Sequence, residues 1–169
     1  MKIATWNVNS VKARLPNIIE WLRLAQPDVL LLQEIKVIDE NFPSFDFQSI
    51  GYSSAVHGQK AYNGVAILSK KPITEIRIGL PGDEKDEQSR YIECCINLSK
   101  NINLRVASIY LPNGNPVETD KFSYKIRWME RLISHAKTLL EKEELIILGG
   151  DYNVIPSDYD CYDPIIWKD

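Results

Sequence analysis

Four short apolar runs in this chain each end on a compact polar side chain. KIATW runs into Asn7, VLLLQ into Glu34, RVASI into Tyr110, and LIILGG into Asp151 and Asn153. Short apolar runs suit buried strands, and the unbroken VLLLQ suits one buried on both faces. In layered α/β proteins, ligands gather at one end of the strands. If these termini share one edge, two carboxylates, several amides and a phenol surround a single cavity. Asp and Asn are also ordinary turn residues, so each terminus alone is weak. The Gly-Gly-Asp-x-Asn layout is the hardest to dismiss as a turn.

The rest of the chain supplies covering layers. RLPNIIEWLRLA places Leu15, Ile18, Ile19 and Leu22 on one helical face. GVAILS, YIECCINL and NLRVASIYL are predicted strands, and ITEIRI alternates at period two. The clearest helix is predicted over 118–142, where Phe122, Ile126, Met129, Ile133, Ala136 and Leu140 recur at steps of four and three. Lys121, Lys125, Arg127, Arg131 and Lys137 ride on its other faces, as a solvated surface or as a basic flank for a phosphate backbone. Residues 39–51 read as loop and short turns, and 81–88 as a solvated acidic loop. The pattern predicts a mixed α/β fold with helices covering strands. Ile165, Ile166 and Trp167 end the sequence with no element after them. The expectation there is a chain cut short, or an apolar tail that docks back.

Composition narrows the chemistry. At 169 residues the chain has the length of one domain, and no apolar run approaches the ~20 residues of a membrane span. The start MKIATWNVNS lacks a signal-peptide layout, so a cytoplasmic location is expected. Cys94, Cys95 and Cys161 form no C-x-x-C pair and read as buried free thiols. With only His57 and His135 available, a zinc site is disfavoured. The net charge of −3 counts mildly against a nucleic-acid binder, although a local basic face matters more than the total. Hard oxygen ligands without soft partners point to Mg²⁺, with Mn²⁺ as a substitute. Such a set suits phosphoester hydrolysis.

With these residues in place, the chain resembles the exonuclease III family of abasic-site (AP) endonucleases, within the endonuclease/exonuclease/phosphatase superfamily. The matching pieces are WNVNSVKARL (6–15), PDVLLLQEIK (27–36), GQKAYNGVAILSK (58–70), YLPNGNP (110–116) and GGDYNVIPSDYD (149–160). They cover nearly the whole chain in the family's order. The resemblance implies Glu34 as the metal ligand, with Asn7 beside it. It implies Asp151 as the residue that orients or deprotonates water. Asn153 and Tyr110 would support the phosphate, with Asn113 and Arg90 as further phosphate or DNA contacts. The implied activity is Mg²⁺-dependent cleavage 5′ to an abasic site, with possible 3′-5′ exonuclease and 3′-phosphodiesterase action in base excision repair. The implied partner is double-stranded DNA with abasic sites or 3′ ends, bound by a monomer away from membranes.

The implied fold is a DNase I-like four-layer α/β sandwich, of which residues 1–169 would be roughly the N-terminal half of a single domain. Family members continue further, to another strand-end aspartate near the metal and a Ser-Asp-His segment. Without these, the chain is expected to leave one sheet's inner face uncovered and to be inactive alone. The alternatives are a non-catalytic DNA- or partner-binding fragment, or a related phosphoesterase acting on RNA or a lipid headgroup.

Overall fold

The computed structural model describes residues 1–99 and 102–163. Its elements run β1 (Ile3–Asn7), α1 (Val11–Ala25), β2 (Val29–Gln33), α2 (Ser44–Ser49), β3 (Ser53–His57), β4 (Val65–Ser69), β5 (Ile73–Ile78), β6 (Tyr91–Ser99), β7 (Ile102–Tyr110), α3 (Asp120–Leu140) and β8 (Leu145–Asp151). Ile165, Ile166 and Trp167 lie outside the described residues.

The strands form two four-stranded sheets, ordered β1-β2-β4-β3 and β5-β6-β7-β8. The β1-β2 and β7-β8 pairs are parallel, and the other pairs are antiparallel. All five residues of β2 are buried, as an unbroken apolar run requires of a strand covered on both faces. Leu30 and Leu32 face α1, whereas Val29 and Leu31 face the other sheet. Val65, Ile67, Ile92, Cys94 and Val106 complete this inter-sheet core. On the far side, Trp128 and Leu132 of α3 cover Tyr91, Ala107 and Ile109. The order of layers is therefore helix, sheet, sheet, helix.

Four layers thus exist within the described residues, which corrects the expectation of a half-sandwich with a bare inner face. The inner faces cover one another because β1 to β4 and β5 to β8 each build a four-stranded sheet and the two pack together. Only the flank is open. β1 and β8 are edge strands lying over one another, and Leu145 at the start of β8 is 55% exposed. The predicted face of α3 is also corrected. Its buried residues are Trp128, Leu132 and Leu139, while Ile126, Ile133 and Leu140 are exposed.

Smaller differences have local causes. Residues 39–51 hold α2, anchored by the fully buried Phe47. β3 was not predicted. ITEIRI does form a strand, but an exposed edge strand with a register shift between Thr74 and Arg77. The acidic loop is not freely solvated: Asp86 accepts from Arg131 Nη1 at 2.7 Å and from Tyr124 Oη at 2.9 Å.

Candidate active site

The inner row of each of four strands, β1, β2, β7 and β8, changes character along its length. On β7 it passes from Leu104 and Val106 to Ser108 and then Tyr110. On β2 it passes from Val29 and Leu31 to Gln33. On β8 Ile147 is followed by Gly149 and Asp151, and on β1 Ile3 is followed by Thr5 and Asn7. Alternate residues of a strand share a face, so the inter-sheet space is apolar below, then small and polar, then functional at its mouth. The two glycines have separate reasons. A Cβ on Gly149 would lie 2.7 Å from Leu31 Cδ1, and one on Gly150 only 2.0 Å from the Ile109 carbonyl oxygen. They let β8 seat against both neighbours.

At the mouth, Asn7 Nδ2 donates to Glu34 Oε1 and to Asp151 Oδ2, each at 2.8 Å. Tyr110 Oη donates to Glu34 Oε1 at 2.9 Å. Lys36 Nζ lies 2.9 Å from Glu34 Oε2. Asn153 donates its backbone N–H to Asp151 Oδ1 at 3.0 Å and its side-chain amide to the Leu111 carbonyl at 2.7 Å. The structure therefore brings Asn7, Glu34, Tyr110, Asp151 and Asn153 together. Arg90 borders them, with its guanidinium 4.7 Å from the centre of the Tyr110 ring and Nη1 donating to the Tyr110 carbonyl at 3.3 Å. Asn113 stands apart on an exposed loop, where its side-chain oxygen accepts from the Asn115 N–H at 3.1 Å.

Strained backbone marks the same end of the molecule. Asn9, Ser10, Glu34, Lys36, Asn63 and Asn153 all have positive φ. Such conformations are uncommon outside glycine and persist where surrounding bonds over-determine them. Those bonds are visible: Ser10 and Val11 donate to the Glu34 and Ile35 carbonyls, and Ile35 and Lys36 donate to those of Gly64 and Asn63. Because Glu34 leaves the extended path right after β2, its carboxylate turns into the cavity instead of toward α1.

Electrostatics follow from these contacts. Burial pushes the Glu34 carboxyl up, but hydrogen bonds from Asn7, Lys36 and Tyr110 outweigh it and hold the group below its usual range. Burial, then the Glu34 contact, push the Tyr110 phenol up to about 12, so it stays a proton donor at neutral pH. Lys125 is a site-side residue that reached notice only as part of a basic flank. Its Nζ donates to the carbonyls of Asn113 at 3.1 Å and Asn153 at 2.7 Å, tying both loops to α3. Beside the site a groove of about 530 Å³ is lined by Gln59, Tyr62, Asn63, Arg90, Asn113 and Lys121.

The donor set fits a hard divalent cation only in part. Glu34 offers carboxylate oxygens, whereas the Asn7 side-chain oxygen already accepts from the Asn9 N–H at 3.1 Å, and Mg²⁺ is commonly held by one or two carboxylates plus waters and substrate phosphate. No cluster of three or more His, Cys, Asp or Glu suited to a metal occurs among the described residues. No described helix is long and apolar enough to cross a membrane.

A model of the endonuclease/exonuclease/phosphatase family matches residues 4–167. The chain belongs to that family. Within it, the chain is 36% identical to exodeoxyribonuclease III of Haemophilus influenzae over 161 residues, covering 95% of this chain and 60% of that protein. A solved 3′-5′ exonuclease from Neisseria meningitidis superposes with a TM-score of 0.90 at 38% identity, covering 99% of this chain and 63% of that one. An AP endonuclease from Archaeoglobus fulgidus superposes equally well at 37% identity, with the same coverage. The chain thus spans about three-fifths of the length of these family members. The fold they share is the DNase I-like sandwich described above.

Proposed function

We propose that this site hydrolyses DNA phosphodiester bonds, cleaving 5′ to an abasic site and trimming 3′ ends, with Mg²⁺ or Mn²⁺ as cofactor. The observation that carries this reading is the convergence of Asn7, Glu34, Tyr110 and Asp151 through three hydrogen bonds at the ends of four strands. Glu34, with Asn7, would hold the cation, which when bound supplies Lewis-acid polarisation of a phosphoryl oxygen. Asp151 accepts the proton of the attacking water. Its Oδ1 and Oδ2 are held from two sides by Asn153 and Asn7, so its orientation is set before substrate arrives. The second N–H of the Asn153 amide and, once its hydroxyl turns from Glu34 to the substrate, Tyr110 Oη are the donors toward charge that develops on the phosphate. Arg90, stacked on Tyr110, and Lys121 give the adjoining groove its positive charge for the flanking backbone. Duplex DNA is the proposed partner, a monomer the proposed state and the cytoplasm the proposed location.

A second reading is a DNA-binding unit without turnover. It draws on the absence, among the described residues, of a third metal-ligating group beside Glu34 and Asp151. One experiment separates the two. The purified chain is mixed with an end-labelled duplex containing one abasic site, in Mg²⁺ and in EDTA. Mg²⁺-dependent cleavage 5′ to the lesion supports hydrolysis. Retention of the duplex without any cut supports the binding unit. Full cleavage in excess chelator overturns the proposed role of Glu34.

A further inference from the structure

One layer beneath the site, a polar bridge crosses the inter-sheet core. Gln33 and Ser108 are 1% and 0% exposed. Gln33 Nε2 donates to Ser108 Oγ at 3.0 Å, and Ser108 Oγ donates to the Leu32 carbonyl at 2.9 Å. Gln33 Oε1 accepts from Thr5 Oγ1 at 3.2 Å, which extends the run to β1. Below this level the same rows are filled by Val29, Leu31 and Val106. An aliphatic pair would suit the position, because replacing both partners of a buried hydrogen bond by apolar groups of like shape is nearly neutral for stability. What such a pair lacks is direction. Apolar contact is non-directional, whereas a hydrogen bond sets both a separation and an angle.

The neighbours of the bridge show what a fixed separation serves. Gln33 is followed at once by Glu34, and Ser108 stands two residues before Tyr110 on the same inner row. Two successive rungs therefore tie the end of β2 and the residue after it to β7: Gln33 to Ser108, then Glu34 to Tyr110. We propose that the Gln33–Ser108 bridge is a positioning device, which sets the spacing and register of β2 against β7 so that the Tyr110 hydroxyl meets Glu34. Neither residue touches substrate. The inference rests on the proposed function for what that contact achieves, but the contact itself is measurable without it.

The test uses the paired variant Gln33→Met/Ser108→Ala, which keeps the volume of the longer side chain and takes a side-chain partner only from the Thr5 hydroxyl, an exposed residue that water can reach. 3-Fluorotyrosine is placed at position 110 alone, and Glu34→Ala marks the ¹⁹F line position of a lost contact. The paired variant is expected to keep a denaturation midpoint near that of the parent chain while its ¹⁹F line moves to the Glu34→Ala position. Where the parent cleaves abasic DNA, kcat is expected to fall tenfold or more with KM little changed. A ¹⁹F line that stays at the parent position in the folded variant would overturn the proposal and leave the bridge as core packing. If the paired variant does not fold, Ser108→Ala alone is read by the same line and the same criterion. A parent chain that never cleaves would count against the proposed function, while the ¹⁹F result still decides the positioning role.

Discussion

Asn7 Nδ2 and Asp151 Oδ2 are joined across 2.8 Å although 144 positions separate them in sequence. The same amide nitrogen also reaches Glu34, so one neutral donor sits between two carboxylates. Removing it strips a hydrogen bond from each and leaves like charges facing a shared cavity. Hydrogen bonds to charged groups typically contribute about 1.5–3 kcal/mol. Asn7→Ala is therefore expected to lower stability by about that amount at pH 7 and low salt, by urea denaturation. An unchanged midpoint would show that water replaces the bridge at no cost.

Asp151→Asn tests the proposed base. The change keeps size and removes both charge and basicity. General-base assistance is typically worth ~10²–10⁴-fold, so kcat on abasic duplex is expected to fall at least that far wherever the parent turns over. Affinity for DNA is expected to hold or rise, because one negative charge near the phosphates is gone. Parent-like turnover in this variant would remove Asp151 from the role.

A second buried carboxylate predicts an acid limb of stability. Glu93 is 2% exposed and contacts Tyr91 Oη at 2.5 Å, His135 Nε2 at 2.8 Å and Arg77 Nε at 3.3 Å. Burial pushes its carboxyl up, but the hydrogen bonds from Tyr91 and His135 and nearby positive charge outweigh it and hold the group below its ordinary value. The stabilisation is thus present above the unfolded value of about 4.3 and lost as pH falls through the lower folded value. Glu93→Gln is expected to flatten that limb in a midpoint-against-pH series. Glu93→Ala is expected to cost about 3–5 kcal/mol at pH 7 by leaving buried partners unmatched.

The cysteines should separate by reactivity. Burial raises the Cys94 thiol to about 12 and Cys95 to about 11, and both side chains are buried. Cys161 is only half-buried. In a chromogenic disulfide titration at pH 8, one thiol per native chain is expected to react quickly, and all three only after denaturation. Fast reaction of Cys161→Ser at one equivalent would contradict the buried setting of the pair.

Much of this architecture was legible because burial leaves a period in the sequence. VLLLQ read as a doubly covered strand and is one, since no polar side chain interrupts the run. The strand ends read as one cavity because Asn7, Tyr110 and Asp151 fall on inner rows. β3 escaped notice because SSAVH carries a single fully buried residue, Ala55. α2 escaped because a helix of six residues has one anchor, Phe47, and no amphipathic period. On α3 the 126-129-133-136-140 period is real, but it marks a flank beside the buried Trp128–Leu132–Leu139 face. The Gln33–Ser108 bridge left no signal, since a lone amide in an apolar run looks like a strand end. Arg131 and Lys125 were indistinguishable from solvated cations until the loops they hold came into view.

The stacking of β1 over β8 also sets an order of events during synthesis. β1 leaves the ribosome early, and at usual elongation rates of about 5–20 residues per second Asp151 follows some seconds to tens of seconds later. Throughout that interval Asn7 exists, yet the carboxylate it meets on β8 does not. A nascent chain can close α1 onto the first sheet and pair β6 with β7, and still carry no water-activating carboxylate at its mouth. The cutting chemistry proposed for this protein is thereby withheld at least until its eighth strand docks, and no earlier piece of the fold carries it.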